Sequence, residues 1–453
     1  MPKYREVMRV SLPLVASTMT TLVMQFTDRV FLANYSLDAI AAALPAGVVF
    51  YLFVYFFIGT AGYVNVFIAQ YTGSGALHRA GAALWQGIYF SILAGLAMFA
   101  LYFCAGPIFR FGGHSPEVQQ LEVVYFKVLC LGSGFLIFGT ALSCFYSGRG
   151  LTRPVMIINL VGAVINIPLD YALINGIWVF PELGILGAGL ATAVAWLIIA
   201  ICYVLIVFTR ENDRIYGVWK NRLLESELFG RLLRFGVPGA LQFCMDIFAF
   251  TFFIFMVGRI GKFELAVTNI VLSIESLSFQ PLMGFSLGTS TLVGQALGRG
   301  QPEAAVSIAK ATTHIACLYM LALMLVFVCL PQPLIKLFRP ENMPLENLPH
   351  MIRLGTILLR FVACYVLFDA FYMIIIGVLK GAGDTRFIMW SVILLSIFGM
   401  LLPVYIGVEY FNGGIYFIWS WATFYVFLLA AVSYWRYRQG RWKKMRVIEQ
   451  QSG

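Results

Sequence analysis

What most limits this chain is a series of twelve apolar segments. They lie near 8–33, 41–70, 82–105, 120–146, 154–174, 184–208, 232–258, 265–297, 304–330, 350–378, 387–408 and 414–435. Each is about 20 residues or longer, the length a helix needs to cross a hydrocarbon layer of about 30 Å. Membrane-crossing strands alternate apolar and polar residues, whereas these segments are solidly apolar, so a β-barrel is excluded. With 60% hydrophobic and 11% charged residues among 453, the chain carries more apolar surface than a water-soluble fold buries. The sequence therefore predicts an all-α polytopic membrane protein with twelve transmembrane helices. The shortest separations fall between the first and second segments and between the seventh and eighth. The first segment is long and lacks a small-residue cleavage site, so it reads as a span and not as a removable signal.

The basic residues orient the spans. With the N-terminus inside, only Arg29, Arg110, Lys127, Arg259, Lys262, Lys336, Arg339, Arg353 and Arg360 of the 31 lysines and arginines fall outside or near outer ends. Lys380 and the rest fall inside. That positive-inside bias predicts two cytoplasmic termini and a cytoplasmic connector at 209–231. It also accounts for the net charge of +10 without invoking nucleic acid. The basic tail RYRQGRWKKMR (436–446) is expected at the anionic cytoplasmic leaflet. The eight cysteines are scattered and read as small core residues. His78, His114, His314 and His350 are isolated, so no metal cluster is expected. GQALGRG lacks the GK[ST] ending of a phosphate loop, and no nucleotide is expected.

The halves repeat. Pro13 in SLPLVAS has its mate at Pro238 in GVPGALQ. AQYTGSG (69–75) matches GQALGRG (294–300), pairing Gln70 with Gln295, Gly73 with Gly298 and Gly75 with Gly300. GLTR (150–153) matches GDTR (383–386). Six spans per half give the repeats the same orientation, so two six-helix bundles related by a pseudo-twofold axis along the membrane normal are expected. The expected domains are an N-lobe at 1–209, a cytoplasmic linker at 210–231, and a C-lobe at 232–453 that includes the basic tail. Gly59, Gly62, Gly284 and Gly288 read as helix–helix contacts.

A charge at the bilayer centre costs about 2.5–3.5 kcal/mol on insertion scales, so intramembrane acids ask for a function. Of 21 acidic residues, Asp28, Asp170, Asp246, Glu275 and Asp369 sit well inside spans, where few bases lie at comparable depth. Asn166 and Asp170 are spaced i, i+4 on one face of the fifth span, around Pro168. Thr192 follows in the small-residue segment GAGLATA. With Asp28 they make an oxygen-rich set suited to Na⁺ or to a proton shared between carboxylates. Gln25 stands one turn before Asp28. In the second half, Gln242 and Asp246 share a face, as do Tyr365 and Asp369, with Tyr372 a turn further. Carboxylates beside aromatic rings suit an organic cation or a second coupling ion. Gln25, Asp246, Glu275, Tyr365, Asp369 and Tyr372 are the candidates for that role. A polar core that only fixes helix packing is the plainer alternative.

SLPLVAS, FTDRVFLA, SGRGLTRP, INIPLDYALING, LGILGAGLATA, RFGVPGALQ, GTSTLVGQALGRGQPEAA and GVLKGAGDTR span essentially the whole chain. In that order they resemble the multidrug and toxic compound extrusion (MATE) family, in its bacterial NorM/DinF-like branches. The resemblance implies a two-lobed bundle of twelve helices that exports amphipathic organic cations by Na⁺ or H⁺ antiport through alternating access. It implies no catalysis and no cofactor beyond the coupling ion. Asp28, Asn166, Asp170 and Thr192 match the family's N-lobe cation site. Asp369 and Tyr365 match the tenth-span residues of the NorM-like branch. The seventh-span glutamate of that branch falls near Cys244, and the acid here is Asp246, about 200° around the helix. That departure favours the N-lobe set for coupling. A monomer in the bacterial inner membrane is expected. A lipid-linked saccharide flippase of the same superfamily, or a non-transporting receptor or scaffold, would be the alternatives.

Overall fold

The computed structural model describes residues 3–449 except 111, 113, 178 and 338–347. Arg339, among the bases placed outside, falls beyond the described residues. Twelve helices are long and apolar enough to cross a membrane: α1 Tyr4–Tyr35, α2 Leu37–Ser74, α3 Leu77–Arg110, α4 Pro116–Gly148, α5 Thr152–Asn175, α6 Ile185–Val207, α7 Ser226–Ile260, α8 Lys262–Gly298, α9 Pro302–Cys329, α10 Leu348–Ala382, α11 Thr385–Phe411 and α12 Ile415–Arg438. Each overlaps one of the twelve apolar segments. The two shortest separations become single-residue joints, Ser36 between α1 and α2 and Gly261 between α7 and α8. Among the described residues there is no strand. In hydrocarbon, a backbone that satisfies its own hydrogen bonds is the one that can span, and a helix does so within a single segment.

The chain divides into two compact units. Unit 1 comprises Met1–Val15, Leu241–Val293 and Gln301–Met445; unit 2 comprises Ala16–Ala240, Gly294–Gly300 and Arg446–Gly453. The cuts in α1 and α7 fall just after the repeat-related prolines, Pro13 and Pro238. The first turns of α1 thus belong with the later helices, and the first turns of α7 with the earlier ones. Residues 210–231 are folded and belong to unit 2. Trp85 of α3 donates to the Val218 carbonyl, Gln86 donates to Leu223, and Arg79 pairs with Glu225 at 2.7 Å.

The internal repeat is visible in the backbone. Gly75 and Gly300 both take positive φ (81° and 73°), as do Gly150 and Gly383 (76° and 99°). Only glycine enters that region without strain, so the repeated motifs end their helices in the same way. Within unit 2, Gly73 packs on the carbonyl of Gln295, while Gly298 packs reciprocally on that of Gln70, with no room for a side chain at either place. The other expected glycine contacts are also present: Gly59 lies against Ala240, Gly284 against Val15 and Gly288 against Ser11.

The tail makes specific contacts with the protein. In unit 1, Arg436 makes a two-pronged pair with Asp384 at 2.6 and 3.1 Å, and the Trp442 ring is buried. In unit 2, Val447 and Ile448 join the core, and the Val447 amide donates to Gln70 Oε1 at 2.9 Å. Glu449 meets Arg231 at 2.8 Å, Arg79 at 3.1 Å and the Tyr71 hydroxyl at 2.8 Å. Partial burial works to raise the Glu449 carboxyl, but Tyr71, Arg231 and Arg79 outweigh it and hold it below the usual glutamate range.

Candidate functional site

Unit 2 gathers Asp28 from α1, Asn166 and Asp170 from α5, and Thr192 from α6. α5 stays helical through Pro168, and its i, i+4 spacing buries both Asn166 and Asp170 completely on one face. Close approach of α5 and α6 depends on small residues, since Gly187 packs on the Leu173 carbonyl. On the other side of α6, Gly132 of α4 meets Ala193. That packing presents Thr192 to α1, where its hydroxyl donates to Asp28 Oδ2 at 3.4 Å. The Asp28 and Asp170 carboxyl groups lie near enough to interact electrostatically.

Asp28 Oδ1, both carboxyl oxygens of Asp170 and both polar atoms of the Asn166 side chain are buried without a partner among the described residues. Buried polar atoms are ordinarily satisfied, and leaving one unsatisfied costs about 1–3 kcal/mol. Two neighbouring carboxyl groups repel unless a proton or a metal cation lies between them. The donor set is carboxylate, amide and hydroxyl oxygen, which fits a hard monovalent cation or a proton.

Tyrosines lie near the set, and the sequence reading missed them. Gln25 belongs to unit 2 and donates to the Tyr51 hydroxyl at 3.2 Å; Tyr51 stacks on Tyr55. Tyr125 of α4 lies in the electrostatic field of Asp28 and Asp170. Tyr51 and Tyr55 are spaced i, i+4 in VFYLFVYFF, and that spacing was the available signal. Tyr125 carried none.

Unit 1 holds the second set, Asp246 on α7, Glu275 on α8, and Tyr365, Asp369 and Tyr372 on α10. Tyr365 donates its hydroxyl to Glu275 Oε1 at 2.7 Å, joining α10 to α8. Gln242 donates to Asp246 one turn along α7. Asp369 lies in the field of Glu275 and Asp246. The three carboxylates are half-buried, whereas Tyr365 and Tyr372 are buried. Lys380, counted from the sequence with the cytoplasmic bases, is half-buried at the end of α10 and interacts electrostatically with Asp246. Lys380 is thus one base within electrostatic reach of the unit 1 acids. Lys380 is 11 residues beyond Asp369 on a helix that stays continuous, and its reach to α7 is not visible in a linear reading.

These geometries can be set beside known proteins. The MatE family model matches residues 13–172 and 238–405. The two matches begin at the repeat-related prolines. A probable multidrug resistance protein NorM from Thermotoga maritima is 26% identical over 453 residues, 98% of this chain and 94% of that protein. A probable NorM from Pseudomonas putida is 29% identical over 389 residues, 84% of this chain and 82% of that protein. A MOP superfamily transporter from Pyrococcus furiosus has the same fold, with TM-score 0.89 at 19% identity over 98% of each chain. So does a multidrug resistance MATE family transporter in an outward-facing conformation, also with TM-score 0.89 at 19% identity over 98% of each chain. With both halves matched by the family model and the twelve-helix fold shared along nearly its whole length, this chain belongs to the MatE family, the multidrug and toxic compound extrusion transporters.

Proposed function

We propose that the protein is a secondary multidrug exporter of the bacterial inner membrane. It couples outward movement of amphipathic organic cations to inward movement of Na⁺ or H⁺, with both termini in the cytoplasm. The observation that carries this reading is the set of unpartnered oxygens on Asp28, Asn166 and Asp170, completed by Thr192. The relatives described as multidrug resistance proteins support the substrate class.

The ion is cargo in this scheme. Its affinity for the carboxylate pair differs between conformations, and that difference shifts their populations. Asn166 and Thr192 supply neutral oxygen, and Asp28 and Asp170 supply charge. The half-buried acids of unit 1, with the Tyr365 and Tyr372 rings beside them, take the organic cation. One ion in for one monovalent drug out moves almost no net charge. No bond is made or broken. Asp28→Asn removes the charge while keeping the shape, so cells carrying it lose drug resistance although the protein inserts at the wild-type level. Wild-type resistance at equal expression would sink the assignment.

A further inference from the structure

Residues 446–449 belong to unit 2 and lie across helix ends that are far apart in sequence. The Arg446 guanidinium reaches the end of α8, where a Cβ at Gly300 would stand 3.5 Å from it. The Val447 amide donates to Gln70 Oε1 on α2 at 2.9 Å, and the Val447 and Ile448 side chains are buried. Glu449 accepts from the Tyr71 hydroxyl of α2 at 2.8 Å through Oε2. Through Oε1 it meets Arg79 of α3 at 3.1 Å and Arg231 of α7 at 2.8 Å. Four consecutive residues thus join the ends of four helices.

Gln70 lies at a crossing. Gly298 of α8 packs on its carbonyl, and Gly73 of α2 packs in turn on the Gln295 carbonyl. Gln295, its mate in the repeat, donates to the Gly148 carbonyl of α4 at 2.8 Å. Gln70 Oε1 takes its hydrogen bond from the tail instead. The charged part of this docking is partly open to water: 37% of the Arg79 side chain, 24% of Arg231 and 38% of Glu449 are exposed. Ion pairs at such exposure hold weakly, and salt competes for them. The tail can therefore release while the core of the unit stays packed.

We propose that residues 446–449 form a clasp that holds the α2–α8 crossing shut and lets go when the crossing opens to the cytoplasm. It rests on the alternating access proposed above and on the orientation read from the basic residues, which puts the crossing on the cytoplasmic side. A drug loaded from the cytoplasm needs an opening on that side. There α2 and α8, one from each half of the sequence, meet backbone on backbone at Gln70 and Gln295. Parting them draws Gly300 away from Gln70 and Tyr71, and the four residues that bridge these positions must then leave one side. Docking makes its contacts only while the crossing is closed, so it stabilises the closed state, and its loss shifts the population toward the open one.

The test reads the crossing itself. Ala296 of α8 and Cys130 of α4 are both buried in unit 2. Maleimide labelling of the thiol introduced by Ala296→Cys is followed by peptide mass in the purified full chain, with the native Cys130 as internal reference. Glu449→Gln and Tyr71→Phe, each added to that background, are expected to speed labelling at position 296 about threefold, the loss of one partly exposed charged contact, and to leave Cys130 unchanged. Drug KM for efflux from liposomes is expected to fall by a similar factor, since more of the protein waits with the crossing open. Unchanged labelling at position 296 in both variants overturns the clasp, whatever the efflux. Equal acceleration at position 296 and at Cys130 also overturns it, because the tail would then only stabilise the unit. Faster labelling at position 296 alone, beside a wild type without gradient-driven efflux, supports the clasp on the crossing and overturns the exporter reading.

Discussion

The two sets of buried acids in this molecule are built differently. In unit 2, Asp170 and Asn166 are fully buried and their side-chain polar atoms have no hydrogen-bond partner among the described residues, beside a half-buried Asp28. In unit 1, the three acids are half-buried and two of them have polar partners: Glu275 accepts from the Tyr365 hydroxyl, and Asp246 from Gln242 within the field of Lys380. A closed, unsatisfied oxygen set selects a small dehydrated cation or a proton. An open set with aromatic walls and its own polar partners tolerates larger, variable occupants. The division of labour proposed between ion and drug rests on that difference, because the number of carboxylates alone does not separate the two sets.

The comparison breaks most severely if both sets behave alike under charge removal. Asp170→Asn is expected to reduce gradient-driven efflux to the level of empty liposomes while the detergent-purified protein remains monodisperse. Glu275→Gln is expected to keep coupling and to change which cations are carried. A sharper probe is Asn166→Ala, which removes one neutral ligand and leaves both charges. Half-saturation by the coupling ion is expected to rise about tenfold, the equivalent of about 1.4 kcal/mol. An unchanged ion dependence there would remove Asn166 from the site. In unit 1, Tyr365→Phe deletes the hydroxyl that holds Glu275. Drug KM is expected to rise roughly fivefold, in line with loss of one charge-assisted hydrogen bond, with ion dependence unaltered.

The smallest effect lies away from both sets, at the tail of unit 2. Glu449→Gln removes the charge that Arg79 and Arg231 hold and is expected to lower the melting temperature by a few degrees at neutral pH. Because docking holds the Glu449 carboxyl below its ordinary value, its contribution is present above the unfolded value and is lost as pH falls through the lowered one. The gap between wild type and variant should therefore close in acid. A gap that widens on acidification would contradict the docked geometry.

How much of this was legible in the sequence depends on the distance over which each feature acts. Apolar runs report local helix length, and all twelve spans could be read from them. The proline and glycine repeats report local backbone conformation, and Gly75, Gly150, Gly300 and Gly383 take the matching positive φ values. Asn166 and Asp170 could be paired because they share one helix. The tyrosines around Asp28 could not be assigned, since an aromatic residue in an apolar run looks the same whether it faces lipid or a carboxylate. The link from Lys380 to Asp246 was hidden for a similar reason, because a charge near a helix end reads as a topology signal until α7 is laid beside α10. The attachment of α1 and α7 to different units on either side of Pro13 and Pro238 depends on packing throughout the fold. So does the docking of Glu449 on residues far earlier in the chain.

The most direct test of the central claim is made with the full chain in liposomes. A Na⁺ gradient and a pH gradient are imposed separately, and efflux of a fluorescent organic cation is followed for wild type, Asp28→Asn and Asp246→Asn. Wild-type efflux should be driven by one of the two gradients. Asp28→Asn should be silent under both, while Asp246→Asn should still respond to the gradient that drives the wild type. A silent Asp246→Asn beside a gradient-responsive Asp28→Asn would place coupling in unit 1 and contradict this account.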